Sequence, residues 1–189
     1  RPFGSSWRWF KHGGEKGGDG IGYSGHKHQK GEKNLAIREG NGNIVAPMNV
    51  QPVNCHDSTL FDESFTNLLD IAMDIPLSLE GSYLTLDSGF DSVENRAMIE
   101  QAGMIPVIKP NLRGLKRQDK INLRLDAFEI YQDIYDGRYV IERCFAWEDT
   151  YRKLNVRYEK LQTTFIGFRY LAWSMINFRS IFKSKRGET

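Results

Sequence analysis

The sequence predicts an α/β fold, a mixed sheet covered by helices. Three observations predict it. An Asn-Gly turn flanked by β-prone runs marks an antiparallel hairpin. Beyond it, short apolar runs alternate with longer segments of helical periodicity. The 189 residues are 40% hydrophobic and 26% charged, enough for one domain with a real core and too few for two large ones.

The elements follow in order. A first strand is expected near residues 5–12. Residues 11–34, KHGGEKGGDGIGYSGHKHQKGEKN, read as an irregular basic loop, so 1–33 is expected to be a glycine-rich basic N-terminal segment of a single domain over 1–189. Runs 34–38 and 44–50 flank Gly40-Asn41-Gly42-Asn43 as a hairpin. Asp57 is placed to cap a helix in which Phe61, Phe65, Leu68, Leu69 and Ala72 recur at helical spacing, and Pro76 ends it. Residues 82–86 read as a strand closing on Asp87. Gly89 turns the chain, and 92–102 reads as a helix stopped by Gly103. A strand is expected over 104–108, closed by Pro110, then a basic polar loop over 111–124. Residues 127–150 fit a helix with an interruption near Gly137. The last helix spans about 160–182, with Leu161, Phe165, Phe168, Ala172, Met175 and Phe182 on one face.

Composition narrows the function classes. No apolar run approaches the ~20 residues that span a bilayer, and the first ten residues lack the apolar stretch of a secretory signal. Cys55 and Cys144 are too few for a disulfide scaffold and suit a reducing cytoplasm. The net charge of +2 hides strong segregation. Residues 54–102 carry ten acids against Arg96, whereas 151–189 carry nine bases against two acids. Within 109–124, Lys109, Arg113, Lys116, Arg117, Lys120 and Arg124 face Asp119 alone. Such segregation suits a polyanion partner. It is equally the pattern of an ordinary solvated face.

Few side chains stand out as chemical candidates. Asp87 closes a β-run, where carboxylates point into ligand crevices; the same position suits a turn former or a helix cap. Glu142 lies inside the apolar segment 139–147, with Arg138 one turn before it, the spacing of a structural i,i+4 ion pair. His26 and His28 lack the further ligands of a zinc site, because Cys55-His56 has the wrong spacing. The loop 17–22 is glycine-rich but does not lie between a strand and a helix, so it is no phosphate loop. Cys144 reads as core.

Several stretches together resemble one family: GGDGIGYSGHKHQKGEKN at 17–34, PVNCHDS at 52–58, LTLDSGFDSVENR at 84–96, GMIPVIKPN at 103–111 and RYVIERCFAWEDTYRKLNVRYEK at 138–160. They are similar to the catalytic domain of bacterial DDE-type insertion-sequence transposases. The most specific feature is a Tyr-x2-Arg-x3-Glu spacing, matched by Tyr135, Arg138 and Glu142. The family's following Lys falls on Asp149, a departure; Lys153 is the base one turn further on.

The resemblance implies an RNase H-like fold and three acids holding two divalent ions, Mg²⁺ with Mn²⁺ as a substitute. By match, Asp87 is the second acid and Glu142 the third. The first belongs to a Leu-Asp-Gly type motif on the first strand. Here the sequence has no acid before Glu15, and Glu15 and Asp19 sit in the glycine-rich loop as poor substitutes. A partial gene or a frame change near the start is expected to account for this and for the absent initiator Met. Tyr135 and Arg138 are implied to contact phosphates near the cut, with Lys109, Arg113, Lys116, Arg117 and Lys153 following the DNA backbone. The implied partners are transposon ends and target DNA, engaged by a homo-oligomer in the bacterial cytoplasm near the nucleoid, without a membrane. Two readings stay open: a transposase catalytic domain for cutting and joining DNA, and a catalytically dead DNA-binding remnant. Unrelated structural carboxylates would place Asp87 and Glu142 far apart or in separate ion pairs.

Overall fold

The computed structural model describes residues 2–12, 18–25, 28–55 and 57–186. Glu15, His26 and His56 lie outside them. Strands β1 (Pro2–His12), β2 (Gly22–Ser24), β3 (Gln29–Glu39) and β4 (Asn49–Pro52) precede helix α1 (Asp57–Asp74). Strand β5 (Tyr83–Leu86) leads through a 3-10 turn, Ser88–Phe90, into α2 (Val93–Gln101) and then β6 (Ile105–Ile108). Helices α3 (Gln118–Glu129), α4 (Gln132–Asp136), α5 (Tyr139–Asp149) and α6 (Arg152–Asn155) follow, then β7 (Val156–Arg157) and the long α7 (Gln162–Arg186).

The sheet runs β2-β3-β1-β5-β6, with β4 paired to β3 and β7 to β1. β1 and β3 are antiparallel, with Phe3 opposite Glu39 and Lys11 opposite Gly31. β1, β5 and β6 are parallel, with Gly4 level with Thr85 and Leu86 level with Ile108. A mixed sheet between helical layers is the α/β arrangement that the sequence predicts. Strand alternation builds the layers. From β3, Leu35 and Ile37 join Phe61, Phe65, Leu68 and Phe90 in one core. Ala36, between them, points the other way and packs with Phe165, Ala172, Trp173 and Ile176 of α7.

Most expected elements form, with four corrections. Residues 11–34 are not irregular throughout: they contain the end of β1, β2 and the start of β3. Their glycine- and histidine-rich composition hides strands held by backbone pairing. The hairpin turns as expected, with the Gly42 amide donating to the Glu39 carbonyl at 2.8 Å. Gly42 has φ +93°, and a Cβ there would lie 2.7 Å from Cys144 Sγ. Its second arm is shorter than expected: Ile44 makes a lone bridge to Arg38 before β4 begins at Asn49. Pro47, which has no amide proton, lies between. The basic loop over 111–124 ends early, because α3 starts at Gln118. That helix has no buried residue, so it leaves no periodic trace in the sequence. The expected helix over 127–150 is three helices, broken at 130–131 as well as at Gly137.

Two buried ion pairs tie the layers together. Arg157 meets Glu32 at 2.5 Å, each 1% exposed, and Arg169 of α7 meets Glu148 of α5 at 2.7 Å. Arg38 is wholly buried with its guanidinium 4.1 Å from the centre of the Phe145 ring, a cation–π contact.

Candidate active site at the carboxyl edge of the sheet

Asp87 follows the last residue of β5, at the edge where parallel strands present their carboxyl ends. Its own backbone is extended and its side chain caps nothing. The carboxylate turns instead toward α4 and α5. Arg138, the residue before α5, closes on it as a fork: Nη1 lies 2.5 Å from Oδ1, and Nη2 donates to Oδ2 at 2.7 Å. Tyr135 of α4 completes the group, its hydroxyl accepting from Arg138 Nη1 at 3.1 Å and donating to Asp87 Oδ1 at 3.4 Å. Burial pushes the Tyr135 phenol above its ordinary range, against the pull of the Arg138 charge. Its proton therefore stays on at neutral pH.

Glu142 lies one turn beyond Arg138 on α5, which separates the two Cα atoms by about 6 Å. Its carboxylate is exposed. The local Arg138–Glu142 ion pair that the spacing suggests does not form, because Arg138 reaches across to Asp87. Lys109 follows β6, and its amide donates to the Leu86 carbonyl, so it stands at the same sheet edge. A cleft of about 400 Å³ opens beside this edge, lined by Gly4, Glu39, Tyr83, Thr85, Asp133 and Arg138 among others.

The other expected residues stand apart from this group. Arg113 and Lys116 are exposed on the segment before α3. Arg117 is exposed and forks onto Asp119. Lys153 of α6 holds its ammonium 5.7 Å above the Phe168 ring. Asp19 is committed elsewhere: it accepts from Arg157 at 3.0 Å and from the Gln162 amide at the start of α7.

Asp91 escaped the sequence reading. It accepts from Arg96 Nε and Nη2 and from the Asn111 amide, and it lies 3.6 Å from Arg124. It thereby pins the start of the basic segment to the sheet edge. The only signal was its place as the second acid of LDSGFDS, just before the Ser92 cap of α2.

The resemblance implies a pair of divalent ions at this edge. Hard cations of this kind want several carboxylate oxygens. Both Asp87 oxygens are engaged by Arg138, and Glu142 is the second acid. Residues 2–12 of the first strand carry no acid at all. Among the described residues no group of three Asp, Glu, His or Cys side chains is placed to hold a metal. These residues therefore do not complete a two-ion cage. No described helix is long and apolar enough to cross a membrane.

Comparisons with known proteins place the chain. It resembles three solved structures at low identity. One is the piggyBac transposase synaptic complex with hairpin DNA, at 13% identity and TM-score 0.40 over 64% of this chain and 25% of that one. A second is the Mos1 transposase paired-end complex with left transposon end, at 8% identity and TM-score 0.41 over 76% and 53%. The third is the Mos1 mariner paired end complex with Mn, at 8% identity and TM-score 0.44 over 78% and 54%. The chain thus spans between a quarter and about half the length of the proteins it matches. No curated protein sequence matches it. The transposase DDE domain model matches residues 4–175, nearly the whole chain and all of the Asp87–Tyr135–Arg138–Glu142 region, and the chain belongs to that family.

Proposed function

We propose that this chain is the catalytic domain of a transposase that cuts and joins DNA by phosphoryl transfer. The observation that carries the reading is the convergence of Asp87, Tyr135 and Arg138, with Glu142 one turn on along the same helix. Asp87 and Glu142 are read as catalytic and as metal-holding residues. Chemistry in this family depends on divalent metal ions. Hard carboxylate oxygens suit Mg²⁺, with Mn²⁺ able to replace it.

The protein side of the reaction follows from charge. A scissile phosphate brought to the sheet edge competes with Asp87 for the planar Arg138 fork, which fits either anion bidentately. Tyr135 keeps its proton and so offers a donor to a phosphate oxygen. Lys109, Arg113, Lys116, Arg117 and Lys153 supply sequence-blind attraction to the backbone. The proposed partners are transposon ends and target DNA, held by more than one copy of the chain in the bacterial nucleoid region.

A second reading is favoured by one specific fact: β1 has no acid where the family places its first metal ligand. Without that carboxylate two cations lose a shared counter-charge, and the chain binds DNA without turning it over. Strand cleavage of DNA carrying transposon ends, with Mg²⁺ or Mn²⁺, separates the two. Activity that vanishes in Glu142→Ala establishes the catalytic domain as a working enzyme. Equal background in both proteins establishes the inactive DNA-binding form.

A further inference from the structure

Helix α7 carries two apolar faces, and the core uses one. Phe165, Arg169, Ala172, Trp173 and Ile176 are buried against the sheet and α5. Phe168, Leu171, Met175, Phe178 and Phe182 form a second stripe, between 38% and 66% exposed. At 3.6 residues per turn this stripe lies roughly 120° around the helix from the buried face. Its spacing alternates three and four residues, the a/d repeat of a helix that packs against another helix. This also corrects the single face expected from sequence: Phe165 and Ala172 are core, whereas Leu161, Phe168, Met175 and Phe182 are exposed.

We infer that this stripe is the contact between two copies of the chain, paired antiparallel along α7 about a two-fold axis at Met175. Area supports a second copy. At ~200 Å² for each fully exposed large side chain, the five residues present roughly 500–600 Å². That is at the upper end of what a monomer leaves in water, and it supplies most of the ~800 Å² that one partner contributes to a standard interface. Phe178 and Phe182 already stack on each other at 4.4 Å between ring centres, giving a preformed aromatic knob.

Charge selects the antiparallel arrangement. The sequence sets four bases, Arg179, Lys183, Lys185 and Arg186, in the last turns of α7. Parallel helices would set these like charges side by side, whereas antiparallel helices place them at opposite ends. The stripe is also nearly symmetric about its middle: with Met175 on the axis, Phe168 falls level with Phe182 of the other copy, and Leu171 falls within one residue of its Phe178. A two-fold axis requires this self-matching. The inference does not depend on catalysis, and its test uses neither DNA nor metal, so its failure leaves the phosphoryl-transfer reading untouched.

Sedimentation equilibrium of the full chain is the first measurement. The expected mass is twice 21.8 kDa at micromolar concentration. Phe178→Glu and Leu171→Glu, both at exposed positions, are expected to weaken association at least a hundredfold with unchanged circular dichroism, and to melt where the wild type melts once it is diluted below its pairing range. Cross-linking then tests the register in a Cys55→Ser background. Met175→Cys is expected to form an intermolecular disulfide on mild oxidation, because the two residues meet at the axis. Phe168→Cys is expected not to, since its symmetry mate is about 20 Å away. A monomeric wild type overturns the inference, as does a dimer that survives both charge substitutions with its fold intact. Equal cross-linking at 168 and 175 overturns the antiparallel register.

Discussion

Arg138 and Asp87, fifty-one residues apart, meet fork to fork across the end of β5, with both carboxylate oxygens engaged. The arginine is 14% exposed and the aspartate 37%, so water screens the pair only in part. A guanidinium held this way supplies Asp87 with the positive charge that it would otherwise seek from a cation. It also keeps the arginine extended toward the sheet edge where a phosphate would arrive.

Replacing Arg138 by Gln is therefore expected to weaken DNA binding far more than folding. Partly exposed pairs contribute about 1 kcal/mol or less to stability. One lost phosphate contact lowers the slope of log affinity against log salt by about one. Fluorescence anisotropy over a salt series measures this. An unchanged slope would remove Arg138 from the DNA interface.

Tyr135→Phe tests the third member of the group through its titration. Burial raises the folded phenol above its ordinary value of 10.0, so the native state holds that proton more tightly than the unfolded chain does. Such a group stabilises fully below pH 10, and its contribution fades as pH rises through the folded value. The wild type should lose this increment of stability in alkali, and Tyr135→Phe should not. Urea midpoints at pH 8 and in steps above pH 10 show it. Parallel curves for the two proteins would mean that the hydroxyl is not buried against Arg138 and Asp87.

The thiols make a simpler case. Cys144 is 1% exposed, faces the Gly42 carbonyl at 3.0 Å, and is pushed by burial above the ordinary thiol range. Cys55 is partly exposed. At neutral pH a thiol reagent should titrate one cysteine quickly and the second only after denaturation. Two fast equivalents would contradict the packing of α5 on the hairpin.

Local signals made much of this legible, and long-range ones did not. The Asn-Gly turn, the α1 periodicity and the Asp87 strand end are properties of neighbouring residues, and each appears where the sequence puts it. The partner of Arg138 is a tertiary matter. Spacing offers Glu142, one turn away, and only the docking of α4 and α5 across the sheet edge offers Asp87 instead. The same limit hid Asp91, whose three partners come from α2, α3 and the intervening loop. It also hid the strands within 11–34, where backbone pairing replaces any side-chain pattern. Along α7 the sequence shows apolar residues on two faces, and burial alone tells core from surface.

Pairing inside the core sets a larger stake. Arg169 and Glu148 are both essentially unexposed, and removing one partner of such a pair strands a buried charge. Arg169→Met is expected to cost about 3–5 kcal/mol. The double variant with Glu148→Leu should recover much of that loss, because an apolar pair of similar volume carries no desolvation cost. Chemical denaturation of the single and double variants reads the difference. A double variant no better than the single would mean that both side chains have other indispensable partners.

The first strand carries no acid, and it offers a direct test of what a third carboxylate would add at this edge. Gly4 is buried, level with Thr85 on β5, and lines the cleft beside Arg138. Side chains alternate along a strand, so Thr85 and Asp87 share a face, and a carboxylate at position 4 would project on that side. Gly4→Asp would add a third acid to Asp87 and Glu142, bringing the oxygen count nearer to what a hard divalent ion requires. The expected outcome is an increase of about tenfold or more in Mn²⁺ affinity, read by the loss of the free-ion paramagnetic signal. A tenfold change corresponds to about 1.4 kcal/mol. The gain should disappear when Asp87→Asn is added, because the new acid works only beside the old one. If Gly4→Asp folds but binds Mn²⁺ no better than the wild type, position 4 is the wrong place for a third carboxylate, or Arg138 holds Asp87 too firmly for a cation to replace it. Repeating the titration with Arg138→Gln combined with Gly4→Asp distinguishes these, since releasing Asp87 restores affinity only in the second case.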